Sequence, residues 1–102
     1  MSNSFKLTLD QSNPNWHPDM QANLLFVSAM QSYYNDLLRT RGHVFLNEVL
    51  DGLGMDRTSD GAIQGWLIGE AYQCFIDLHV SDQNSDALTL SVATDGVIYR
   101  KI

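Results

Sequence analysis

The chain has one cysteine, two prolines and only six lysine and arginine residues against twelve carboxylates among its 102 residues. Each shortage excludes something. With Cys74 alone, no intramolecular disulfide can form and no zinc site can rest on two thiolates of one chain, so a reducing compartment, the cytoplasm, is the expected location. No window approaches the ~18 apolar residues that a membrane helix needs. Met1-Ser2-Asn3-Ser4 runs straight into an alternating segment, without the basic stretch and apolar run of a secretory leader. A soluble protein with no membrane partner is the expectation. The deficit of basic residues gives a formal net charge of −6, which opposes contact with a nucleic-acid backbone, so direct DNA or RNA binding is not expected.

Catalytic punctuation is missing too. There is no Gly-x-Ser-x-Gly elbow, and Gly61, Gly65 and Gly69 lack the spacing of a phosphate-binding loop, so neither a nucleotide nor another cofactor is expected. No repeat and no low-complexity tract occurs. A composition of 44% hydrophobic and 18% charged residues is not that of a disordered chain, and the length suits one domain spanning 1–102.

What is present is a sequence of readable elements. Phe5, Leu7 and Leu9 alternate with Lys6, Thr8 and Asp10, the period of a half-buried strand. Turn chemistry follows from Gln11 to His17. Pro18 is placed to take the first helical position and Asp19 to face the positive end of the dipole. Leu24, Val27, Met30, Tyr34, Leu37 and Leu38 then recur at steps of three and four. Arg39 and Arg41 in a last turn before Gly42 predict where that helix ends. Val44 to Leu53 reads as a second, short and largely buried helix closed by Gly54. Strands are predicted over Ala62–Ile68, over Tyr72–Val80 with Cys74, Ile76, Leu78 and Val80 on one face, and over Leu88–Ala93, with Ser81–Asp86 as a polar loop. Asp95-Gly96 predicts a type I′ hairpin that places Val92 opposite Tyr99, with Tyr99 on the core face of a last strand over 97–102. The sum is an α+β arrangement: two helices packed on one face of a small antiparallel β-sheet with a C-terminal β-hairpin, the N-terminal strand joining an edge.

The run Arg41-Gly42-His43-Val44-Phe45-Leu46-Asn47-Glu48-Val49, then Leu53-Gly54, Arg57-Thr58, Gly61-Ala62, Gly65-Trp66, Phe75-Ile76-Asp77 and Asp95-Gly96, resembles a family of small uncharacterised proteins from bacteria and their phages or mobile elements. The resemblance covers residues 38–99, roughly. It implies a phage or mobile-element origin and carries over no activity and no catalytic residues.

Candidate chemistry is sparse. On the predicted strand Asp77 and His79 emerge on one face, close enough to share a hydrogen bond or two metal ligands. A metal-dependent hydrolase would need a third ligand, for which His43, His17 and Glu70 are the available residues. His43 and Glu48, five apart, point to different sides of the predicted helix. Cys74 is expected to fill core space rather than act as a nucleophile. No catalytic residue or metal ligand is assigned, and no small-molecule ligand is indicated. Aromatic side chains dominate interface energetics, so Trp16, Tyr33, Trp66, Tyr72 and Phe75, with Asp77 and His79, form the candidate binding set. The expected function is a non-enzymatic interaction module that binds a protein partner or itself, a homodimer being the commonest closed form. Two alternatives are carried: an acidic inhibitor that imitates nucleic acid through Asp51, Asp56, Asp60, Asp82 and Asp86, and a small metal-dependent hydrolase using Asp77 and His79.

Overall fold

A computed structural model describes residues 3–102, so Met1 and Ser2 of the leader reading lie outside the described residues. Strand β1 (Ser4–Asp10) is followed by helix α1 (Met20–Arg41), strand β2 (His43–Phe45), helix α2 (Leu46–Leu53) and strands β3 (Gly65–Leu67), β4 (His79–Asn84) and β5 (Ala87–Ala93), with a 3₁₀ turn at Tyr99–Lys101. The fold is α+β. β5 is central in an antiparallel sheet of order β1-β5-β4, while β2 and β3 form a separate antiparallel ladder. The alternation of β1 sends Phe5, Leu7 and Leu9 to the side of Leu88, Leu90 and Val92, where Val27, Tyr34 and Leu38 of α1 and Leu46, Val49, Leu50 and Leu53 of α2 complete one core. The other sheet face, with Lys6 and Thr8 of β1 and Thr89 and Ser91 of β5, is left to solvent.

Helix α1 starts two residues later than expected, at Met20: Pro18 lies outside it, and Asp19 is not in the first turn but is the N-cap, its side chain accepting from the Gln21 N–H at 3.0 Å. Gly42 closes the helix at φ +90°, donating its N–H to Leu38 O. Three side-chain amides of α1 also bind main chain elsewhere. Asn23 pairs with both the N–H and the C=O of His17, Asn35 with both groups of Ile76, and Gln31 accepts from the Leu78 N–H, each bond 2.8 Å long. Buried amides that copy a strand's pairing satisfy main chain for which no strand is available.

That explains a second departure from expectation. The predicted strand over Tyr72–Val80 begins only at His79, because Cys74 adopts φ +57° and the chain through Ile76 and Leu78 is bonded to α1 instead of to a neighbouring strand. Ile76 and Leu78 are buried as expected, but Cys74 is exposed, its Sγ accepting from the Gly69 N–H at 3.4 Å. The polar run Ser81–Asn84 is strand, with a bulge between Val80 and Asp82, and only Ser85 and Asp86 turn the β4–β5 hairpin. This hairpin is the C-terminal one.

Two further expectations are corrected. His43–Phe45 is strand rather than helix, since Val44 pairs with Trp66 and Phe45 with Gly65. Gly65 allows this ladder to close, for a Cβ there would lie 2.0 Å from Val44 O. Helix α2 therefore starts at Leu46, where the Glu48 carboxylate accepts from the Phe45 N–H at 2.8 Å. Likewise Asp95-Gly96 does not turn a hairpin back onto β5. Both edges of β5 are already occupied, by β1 and β4, so the chain runs along β3 instead: Asp95 N–H bonds Gly65 O, Gly65 N–H bonds Gly96 O, and Val97 bridges Gln64. Tyr99, expected on the core face, is 63% exposed.

The exposed Asp51–Arg57 pair gives the fold an acid-sensitive contact. Arg57 reaches both Asp51 oxygens, at 3.0 and 2.6 Å, and this bond chiefly holds the carboxyl below its ordinary value of 3.8. A group whose folded pKa is depressed adds stability above its unfolded pKa and loses it as pH falls through the folded one. In urea titrations stepped downward from about pH 5, the midpoint of Asp51→Asn should fall less steeply below about pH 4 than that of the parent. Parallel slopes would show that the pair contributes nothing to acid sensitivity.

Candidate functional site

A hollow of about 490 Å³ lies on the solvent face of the three-stranded sheet, over the start of β1 and the end of β5. Its polar groups come from all three strands. Lys6 lies directly opposite Ser91, and Ser91 directly opposite His79, so the three side chains form one row across the sheet. At strand spacing the row spans roughly 10 Å. Asp77 joins from the segment that α1 holds in place, and Ala93 contributes an apolar methyl. Gln73 closes the end, its Nε2 donating to Ala93 O at 3.0 Å and its N–H to Asp95 Oδ1 at 3.3 Å.

The sequence-predicted pair Asp77 and His79 thus shares one groove. Lys6 and Ser91 were missed. Their signal was the outward phase of the β1 and β5 alternations, which becomes a site only when the register sets these strands side by side. Among the described residues Asp77, His79 and Ser91 make no side-chain hydrogen bond to one another, so the nucleophile, base and orienting group of a hydrolytic triad are not assembled. Nor do any three His, Cys, Asp or Glu side chains of the described residues converge on a point where they can hold a metal ion. His43, His17 and Glu70 therefore supply no third ligand to Asp77 and His79. The groove offers an ammonium, a hydroxyl, an imidazole and a carboxylate, the equipment for binding polar groups.

The aromatic candidates do not gather around it. Trp66 is fully buried, its indole N–H donating to Ala93 O at 3.1 Å, so it is corrected from a binding residue to a core residue. Trp16 is half-buried against the core. Tyr72 is half-buried with the Lys101 ammonium 5.3 Å from its ring centroid. Tyr33 is exposed and meets Tyr34 edge-on, and Phe75 is exposed beside Gln31 and Asn35 of α1, outside the groove. The Tyr34 hydroxyl donates to Glu48 O at 2.6 Å, and burial pushes its pKa above the ordinary 10. Of the carboxylates named for nucleic-acid imitation, Asp51 is occupied by Arg57.

A family model matches residues 2–102 and is described as a family of unknown function, DUF6353. The chain belongs to that family. No curated protein and no solved structure matches the chain. The match takes in β1 as well as the motifs from Arg41 to Gly96 that carried the resemblance, so Lys6, Ser91, Asp77 and His79 all lie within the span that defines the family. Membership brings no reaction with it. No helix among the described residues is long and apolar enough to cross a membrane.

Proposed function

We propose that this member of DUF6353 is a non-catalytic interaction module that docks a protein partner, or a second copy of itself, on the open face of its three-stranded sheet. The observation that carries the reading is the row Lys6–Ser91–His79: polar groups brought together by register over an open hollow, with no hydrogen bond among them to arm a nucleophile. Interfaces combine such polar groups with apolar surface, which Ala93 supplies here. The chain's acidity and single cysteine support action inside the cell, and the motif resemblance supports a phage or mobile-element origin, which the neighbouring genes can test.

A photo-crosslinking residue at Ser91 tests the docking face, with one at the exposed Thr40 of α1 as control. Adducts, whether with another protein or between copies, should form from position 91 and not from 40. Equal yields at both positions would reject the groove as the docking face. Hydrolysis of a model ester or phosphoester that is abolished by Asp77→Ala would instead establish the enzyme reading.

A further inference from the structure

We infer that β1 pairs edge to edge with the β1 of a second copy of this chain, in an antiparallel register centred on Thr8, which joins two three-stranded sheets into the continuous sheet of a homodimer.

The edge of the sheet is at issue here, whereas the docking reading above concerns its face. Thr94 N–H bonds Asn3 O directly across the β1–β5 ladder, and hydrogen-bonded pairs alternate along such a ladder, so Phe5, Leu7 and Leu9 spend their main-chain groups on β5. Those of Lys6, Thr8 and Asp10 therefore point outward. No other strand lies beside β1, and among the described residues these outward groups take one bond, from Asn13 N–H to Asp10 O, an oxygen with a second lone pair to offer. Such an edge is a template for another strand. The opposite edge of the sheet is blunted by the bulge between Val80 and Asp82 of β4, whereas β1 pairs from Ser4 to Asp10 without a shift and without a proline.

Charge selects both the occupant and the register. A two-fold pair centred on Lys6 would set ammonium against ammonium, and one centred on Leu7 would set Lys6 against Thr8 and match neither charge. Centred on Thr8, the pair brings Lys6 of each copy opposite Asp10 of the other, with Thr8 against Thr8 between them. Both charges are available for this. Lys6 is exposed and makes no ion pair among the described residues, while the Ser12 N–H and hydroxyl both bond Asp10 Oδ1, at 2.9 and 2.6 Å, and leave Oδ2 to a second cation. The same two bonds hold the Asp10 carboxyl below the ordinary carboxylate range, so it is ionised at neutral pH. On the other face of the strand Leu7, half-buried in the single chain, comes opposite Leu9 and gains apolar cover.

A one-strand interface is small, so the dissociation constant is expected on the order of 10 μM. The test is analytical ultracentrifugation at about ten times that concentration, in about 0.15 M salt to screen the long-range repulsion between two copies of charge −6. The parent should approach twice 11.5 kDa. Thr8→Pro removes an outward N–H and spares every ladder bond to β5, so it should be monomeric with an unchanged circular dichroism spectrum. Lys6→Glu and Asp10→Lys, each alone, set like charges opposite one another at both ends of the pair and should weaken dimerisation by ~10–100-fold. An equimolar mixture of those two variants joins opposite charges at both ends again and should recover the dimer. A monomeric parent, a dimer indifferent to a folded Thr8→Pro, or a mixture that stays monomeric overturns the inference. Should Thr8→Pro fail to fold, the two charge variants and their mixture decide. Crosslinking from position 91 reads the face and not the edge, so its failure leaves this result standing.

Discussion

Trp66→Ala is expected to remove about 3–5 kcal/mol of stability, a large part of the ~5–15 kcal/mol that holds a domain of this size together. Trp66 is the largest of the fully buried side chains. It lies on the central position of β3 opposite Val44, so deleting it opens a void where the small β2–β3 ladder meets the main core. Its indole N–H also donates to Ala93 O, which has a second donor in the Gln73 side chain. That second donor predicts the behaviour of Trp66→Phe: most of the volume is kept and the carbonyl stays satisfied, so the loss should be nearer 1–2 kcal/mol, by the smaller cost of partial truncation. Urea denaturation followed by far-ultraviolet circular dichroism checks both values. A Trp66→Ala protein within about 0.5 kcal/mol of the parent would place the indole at the surface after all.

Asn35→Ala is expected to cost about 2–4 kcal/mol, more than its volume alone would suggest. The Asn35 amide is buried and supplies a donor to Ile76 O at 2.8 Å and an acceptor for the Ile76 N–H at 2.8 Å, while also donating to Gln31 O at 2.9 Å. Alanine removes both partners of a buried peptide group, and each group left unmatched costs ~1–3 kcal/mol unless water reaches it. The consequence extends to the groove. Asp77 follows Ile76 directly, so loosening this anchor frees the segment that carries the carboxylate and leads into His79. Amide hydrogen exchange should therefore accelerate at Ile76 and Leu78 well before it does in β5, whose ladder is paired on both sides. Uniform acceleration across both segments would mean that Asn35 supports the whole fold rather than this strap.

Local rules made some of the chain legible in advance. β1 and β5 follow from strict alternation, and α1 from its apolar stripe and the left-handed Gly42. These signals depend on residues within one or two turns of each other, and they read correctly because α1 and β5 are long and strongly periodic. The failures share a different cause. Val44 and Phe45 look helical beside Leu46 and Val49 until a strand some twenty residues away claims them; Ile76 and Leu78 look like strand until the amides of α1 take their hydrogen bonds.

The sequence by itself determined the α+β class, the long helix and the two best strands. Only the tertiary structure decided that β5 would be shared between β1 and β4, which denied the C-terminal segment a place on it and brought Lys6 opposite Ser91 and His79. The physical reason is that β1 and β5 are separated by nearly the whole chain. Their alternation specifies which side chains face outward, but the choice of partner strand is made by how the buried faces fit together, and that fit is a property of the assembled core.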